Sequence, residues 1–292
     1  MIDSASLNHI LGFGPVFLLL AVRAYAMMQV APIFASGAIP GVAKLALAGL
    51  AAFAVMPTAE VFFTEGAPGV GIVTLPGGTI TDLRYAPFSF AFLLLIIGEA
   101  IIGIIIGFFM MIIFATFVSA GQFFSLQMGF AASAAFDPLA QVENPLMGQF
   151  LNLAAMLVFL TIGGFHQLFL GGFWRSVQTI NIISLIEGVE PVVTMLASGL
   201  SRLFLDAIVI SMPILGTLFL TSLSTGLIAK AAPQINILSV GFPISITVAF
   251  IVIFSLLPFM TEAFARVINS GFGTLERLFI QIGRQITVGG GF

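Results

Sequence analysis

About six apolar runs of twenty residues or more leave this chain almost no choice of secondary structure. They lie at about 10–34, 43–63, 88–118, 146–170, 203–228 and 242–261. In hydrocarbon every backbone N–H and C=O must be satisfied within the protein, which a lone apolar segment achieves only as a helix. A spanning helix needs about 20 such residues, and the third run is long enough to tilt, kink or break before its end. Charge content agrees with this. Only 7% of the 292 residues are charged and the mean hydropathy is +1.20, against roughly 25% charged residues in a soluble domain. The expected fold class is an all-α membrane protein of about six long apolar helices in hairpins. Some of them need not span the bilayer conventionally.

The connections differ in kind. Ala35–Val42 is short, whereas Thr64–Pro87 is rich in Gly, Pro and Thr and reads as a solvated loop. Ser119–Pro145 is a Gly/Gln/Phe stretch ending in Asp137-Pro138 and Asn144-Pro145, and Ser184–Leu200 has the mixture of an interfacial helix. Residues 262–292 suit an amphipathic tail, with Arg266, Arg277 and Arg284 on its polar face and Gly289-Gly290-Gly291 near its end. No soluble domain boundary and no internal repeat is visible, so residues 1–292 are read as one domain. Met1–Ser6 lacks the positive n-region of a cleaved signal, so the first apolar segment is expected to be retained. With both termini inside, Arg84, Arg175, Arg202, Arg266, Arg277 and Arg284 fall inside and Lys44 and Lys230 outside, which favours a cytoplasmic tail.

Several functions are excluded or disfavoured. A net charge of −3 gives no footprint for nucleic acid. The absence of cysteine removes thiolate catalysis, Cys-zinc sites and disulfides. No GxxxxGK[ST], GxSxG or HExxH is present, and His166 and His9 do not have metal-ligand spacing. The chain is expected to be no enzyme and to carry no cofactor.

Three ionisable residues fall within apolar runs: Arg23, Glu99 and Asp206. Each costs about 2.5–3.5 kcal/mol at a helix centre on insertion scales. They read either as an ion relay or transport site, or as an intersubunit salt bridge or snorkelling at a helix end, and Arg23 could pair with Asp206 or Glu99. Gly103 and Gly107 form a GxxxG pattern that permits close helix approach. The segment Gly226–Pro243 packs Lys230, Pro233, Gln234, Asn236, Gly241 and Pro243 into a gap between two apolar runs. Broken backbone is tolerated at membrane depth only within protein or against a lumen, so these residues read as packing or pore-lining. A second unusual stretch is Gly121-Gln122-Phe123-Phe124-Ser125-Leu126-Gln127-Met128-Gly129-Phe130. Adaptable methionine and flexible glycine suit a gate or plug in a pore, or else a helix break with a packed re-entrant loop.

Taken together, these segments resemble the FliR family of export-gate components in bacterial type III secretion. The resemblance covers nearly the whole length. It rests on Arg23 with Ala31-Pro32-Ile33-Phe34 and Ile39-Pro40, and on Ala120-Gly121 through Gln127-Met128-Gly129 to Asp137-Pro138. It continues in Gly148-Gln149-Phe150-Leu151-Asn152-Leu153, and above all in Ala232-Pro233-Gln234-Ile235-Asn236 with Val240-Gly241-Phe242-Pro243. The resemblance implies a subunit that packs with FliP-like and FliQ-like membrane subunits into a helical hetero-oligomeric pore. FlhA-like and FlhB-like components act alongside, and unfolded flagellar substrates pass through. It implies contact with membrane lipid, a place in the bacterial inner membrane at the flagellar basal body, and a plug built from the region Gly121–Phe130. The residues alone do not separate flagellar from virulence-type members, and overall similarity leans to the flagellar side. Two alternatives stand beside this reading. One is a secondary transporter, motivated by Arg23, Glu99, Asp206 and broken helices such as that at Pro213. The other is a non-conducting scaffold.

Overall fold

The computed structural model describes residues 4–35, 37, 39–64, 90–129, 146–180, 185, 189–232, 234 and 237–289. Among them every regular element is helical. They are α1 (Ser4–Val30), α2 (Pro32–Ala35), α3 (Gly41–Thr64), α4 (Phe90–Gln127), α5 (Leu146–Thr161) and α6 (Gly164–His166). A π-helix (Gln167–Trp174), α7 (Arg175–Thr179), α8 (Val189–Ala231) and α9 (Ile237–Gly289) follow.

Local chemistry sets the ends. α1 stops before Pro32, because a proline disfavours helical geometry in the residue ahead of it. α4 closes at Gly129, whose φ of 88° lies in the left-handed region open to glycine. Gly163, at φ 71°, breaks the fourth apolar run between α5 and α6.

The helices depart from the expected runs in three places. The third run continues through Gln127, so Gly121–Gln127 is helix and not loop. Its apolar Phe123 and Phe124 carry the burial pattern onward, and the break waits for Gly129. Residues Val189–Leu200 are the first turns of α8 and no separate interfacial helix, since nothing between them and Arg202 interrupts the helix. The tail from Glu262 likewise continues α9 without a break. Among the described residues three helices are long and apolar enough to cross a membrane, or four if the bent pair Leu146–Thr161 with Gly164–Thr179 is one span. Gly14–Val30 and Gly41–Pro57 are shorter apolar helices.

The chain forms two compact units. The first comprises Met1–Met111, Gly163–Ser198 and Gly271–Phe292, and the second Ile112–Ile162 with Gly199–Ser270. α4, α8 and α9 each supply residues to both.

In the first unit α1 and α3 form a hairpin. Ala48 and Ala52 are fully buried, and Gly49 approaches the Phe17 ring. Phe34 of α2 packs against Phe165 and Phe169, with ring centroids 5.6 and 6.4 Å apart. Leu275, Leu278, Phe279 and Ile282 of α9 are buried while Glu276 and Arg277 are exposed. This stretch of α9 therefore alternates a buried apolar side with an exposed charged one.

The second unit is built on phenylalanine. Phe114 meets Phe159 at 5.7 Å, and Phe117 meets Phe264 at 4.6 Å. A Cβ added at Gly121 would lie 2.5 Å from Gly148 Cα, so α4 and α5 cross backbone to backbone. Hydroxyls on α8 and α9 bond to carbonyls of their own helix: Thr217 to Pro213, Thr221 to Thr217, Thr247 to Pro243 and Ser255 to Ile251. Such back-bonding lets a polar side chain sit on an apolar exterior with its donor satisfied.

Glycine substitutions separate close contact from open space. Gly121→Ala is expected to destabilise by about 1–3 kcal/mol, because backbone must shift. Gly216→Ala, where an added Cβ meets nothing within 4 Å, is expected to stabilise by about 0.4–1 kcal/mol. Unfolding in mild detergent measures both.

Candidate functional site

One side chain joins three segments of the first unit. Arg23 on α1 is 2% exposed, and its Nε donates to Glu99 Oε2 of α4 at 2.5 Å. Its Nη1 donates to Ser176 Oγ of α7 at 3.2 Å, and its Nη2 to the Ile180 carbonyl at 3.0 Å. Ser176 in turn donates to the Phe173 carbonyl at 2.6 Å. Glu99 is 8% exposed and Ser176 fully buried. A guanidinium offers five donors in a rigid fork, and here that fork engages a carboxylate, a hydroxyl and the carbonyl that ends α7.

Backbone packing places the pair. Glu99, Gly103 and Gly107 follow at intervals of four along one face of α4. A Cβ on Gly103 would overlap the Arg23 carbonyl, and one on Gly107 would lie 2.6 Å from the Met27 carbonyl. Both sets of numbers rise together, so α1 and α4 run parallel, with Arg23, Met27 and Ala31 facing Glu99, Gly103 and Gly107. The GxxxG pattern is thus the seat on which α1 rests, as small residues in apolar helices permit.

Arg23 therefore pairs with Glu99 and not with Asp206. Asp206 is half-buried on α8 one turn after Arg202, whose charge acts on it. His166 is exposed on α6, and no group of three metal-capable side chains occurs among the described residues.

The gate-like stretch divides at the end of α4. Gly121, Phe124 and Met128 are buried, Gln122 and Gln127 are exposed, and Phe123 is half-buried. Gly129 lies against the Phe242 ring, which an added Cβ would strike. Phe130 lies outside the described residues. In the Gly226–Pro243 segment α8 ends at Ala231 with Lys230 exposed, Gln234 is an exposed turn residue, and α9 begins at Ile237. Pro233 and Asn236 lie outside the described residues. Gly241 and Pro243 fall inside α9, and a Cβ at Gly241 would meet open space.

Residue-by-residue reading missed Ser176, the Ile180 carbonyl, the π-helix and an exposed Arg175–Glu276 ion pair. Ser176 carried one usable signal, a hydroxyl in an apolar context near a predicted ionic residue. The π-helix contains Gly171-Gly172, which marks a weak point in the helix but not its type.

The family model described as bacterial export proteins, family 1, matches residues 15–271. Flagellar biosynthetic protein FliR of Bacillus subtilis (strain 168) is 27% identical over 279 residues, covering 95% of this chain and 99% of that protein. FliR of Buchnera aphidicola subsp. Baizongia pistaciae is 30% identical over 239 residues, 82% of this chain and 84% of that one. Surface presentation of antigens protein SpaR of Shigella sonnei is 27% identical over 188 residues, 63% and 71% of the two chains.

Removing one partner of a buried ion pair strands the other charge and costs about 3–5 kcal/mol. Arg23→Met and Glu99→Met are each expected to lose stability on that scale, whereas the Arg23→Met/Glu99→Met double variant loses less than the sum. A thermodynamic cycle in detergent reads this coupling. Glu276→Gln, in a pair about half exposed, is expected to change stability by less than about 1 kcal/mol.

Proposed function

The chain belongs to the bacterial export proteins, family 1, and on that premise we propose that it is a pore-building subunit of the flagellar type III export gate. It assembles with FliP-like and FliQ-like subunits in the bacterial inner membrane, beside FlhA-like and FlhB-like components, and unfolded flagellar proteins pass through. The match across residues 15–271 carries the reading.

The exterior supports it. Phe53, Val209, Phe254 and Phe259 are each at least 69% exposed on the isolated chain. Apolar surface on this scale marks contact with lipid or partner subunits. Back-bonded hydroxyls leave α8 and α9 ready to be covered. The ionic residues support a structural part more than a transport path, because Arg23 and Glu99 neutralise each other and each guanidinium nitrogen of Arg23 holds an acceptor.

The plug is proposed to begin at the end of α4, later than the stretch from Gly121 implied. Gly121 and Phe124 are committed to packing, while Gln122, Leu126 and Gln127 face outward. Gly129 turns the chain against Phe242, and the plug continues into the residues from Phe130 onward. Deleting 130–136 is expected to leave the complex assembled and to make it leak ions or a small dye when reconstituted in vesicles. An unchanged leak from intact complexes removes the plug assignment. Failure of the wild-type chain to recover FliP-like and FliQ-like subunits removes the gate assignment itself.

A further inference from the structure

One aromatic ring caps the end of α4. Phe124 and Met128 are fully buried in its last turns, and the Gly129 N–H closes the helix on the Leu126 carbonyl at 3.2 Å. The Phe242 ring of α9 lies directly on that glycine. A Cβ added at Gly129 would stand 2.2 Å from Phe242 Cδ1, 2.3 Å from Cε1 and 3.3 Å from Cγ. Glycine is therefore required at 129 for two separate reasons. Its φ of 88° disfavours a side chain, and the ring fills the space where a side chain would begin. A turn alone imposes only the first demand, which asparagine tolerates.

α9 delivers this ring from its first turns. Phe242 follows the helix start at Ile237 and opens the buried side that continues at helical spacing through Ser245, Ala249 and Ile253. Further along, Phe264 of the same helix meets Phe117 of α4. The two contacts differ in kind. Phe117 and Phe264 are both buried, in the middle of helices that run on in both directions. Gly129 and Phe242 join the end of one helix to the start of another, and Phe242 is only half-buried. Withdrawing a half-buried ring re-exposes less apolar surface than withdrawing a buried one, so of the two contacts this is the one that yields first.

We propose that Phe242 is a positioning residue of the gate. Its ring, seated on the Gly129 backbone, holds the end of α4 in the closed arrangement, and withdrawal of the ring releases that end. Because Phe242 belongs to the first turns of α9, a shift there reaches the end of α4 while the Phe117–Phe264 packing stays in place. The inference rests on the reading of the end of α4 as the start of the plug, and adds to it the side chain that sets its position.

The test uses the full chain co-expressed with FliP-like and FliQ-like subunits, purified as the complex and reconstituted in vesicles. Native mass spectra read assembly, and release of a small dye reads closure. Phe242→Ala is expected to assemble as wild type and to raise the leak about tenfold, the scale on which loss of one packed ring shifts a two-state population. Phe242→Tyr, which keeps the ring, stays near wild type. Gly129→Asn leaks although its φ is tolerated, because its side chain displaces the ring. The Gly129→Asn/Phe242→Ala double variant leaks less than the product of the two single effects, since both break one contact. If Phe242→Ala does not assemble, Phe242→Leu carries the same comparison with a smaller expected leak. Assembled Phe242→Ala or Phe242→Leu complexes that are as tight as wild type, while deletion of 130–136 leaks, overturn the positioning role and leave the plug reading standing. Independent, multiplying effects at 129 and 242 overturn it too. If the deletion is also tight, the plug reading falls with it.

Discussion

A charged pair inside an apolar bundle sets the terms for the first unit. Arg23 and Glu99 would each be costly alone, and together they are tolerable only when held at bonding distance with their remaining donors satisfied. That demand fixes the register of α1 on α4, and Gly103 and Gly107 answer it by letting the α1 backbone come down onto α4. A larger residue at either glycine would lift α1 and lengthen the ionic contact. The fork of Arg23 then reaches the end of α7, so the chain leaving the π-helix is tied to the same point. Apolar contacts slide at little cost, whereas a buried guanidinium with three acceptors does not. The pair therefore acts as the registration pin of a unit whose other contacts are mostly non-directional.

The second unit works differently. Its Phe114–Phe159 and Phe117–Phe264 contacts and the Gly121–Gly148 crossing hold it without a described buried ion pair. Its exterior on α8 and α9 is apolar, with hydroxyls turned back on their own helices. Such a surface is unfinished in water and suited to lipid or to neighbouring subunits. In a member of the bacterial export proteins, family 1, that is the expected condition of a part made to be enclosed. The turn at Gly129 and the gap between α8 and α9 interrupt the helical packing.

Much of this was legible in the sequence. Long apolar runs gave helices, because apolar surroundings leave the backbone few other ways to satisfy itself. Arg23 and Glu99 stood out as charges in costly places, and GxxxG located the close approach. Sequence did not decide between Glu99 and Asp206 as the partner, since that choice depends on which helices meet. Extension of α4 through Gln127 was missed because Gly121 reads as a breaker by propensity, yet here it serves a backbone crossing with Gly148. Continuity of α9 from the 242–261 run into the tail was missed because the charges from Glu262 end the apolar run, whereas buried Phe264, Leu275 and Phe279 carry the helix on. Lys44 counted only as a charge on the outer side, and its burial against Gln29 distinguishes it.

Hydrogen exchange by mass spectrometry on the Arg23→Met variant tests the central claim, that this side chain ties three segments at once. The account predicts faster exchange together in α1, in α4 around Glu99–Gly107 and in residues 173–180, with the Phe-rich second unit little changed. Faster exchange confined to α1, with α4 and residues 173–180 protected as in wild type, would contradict it.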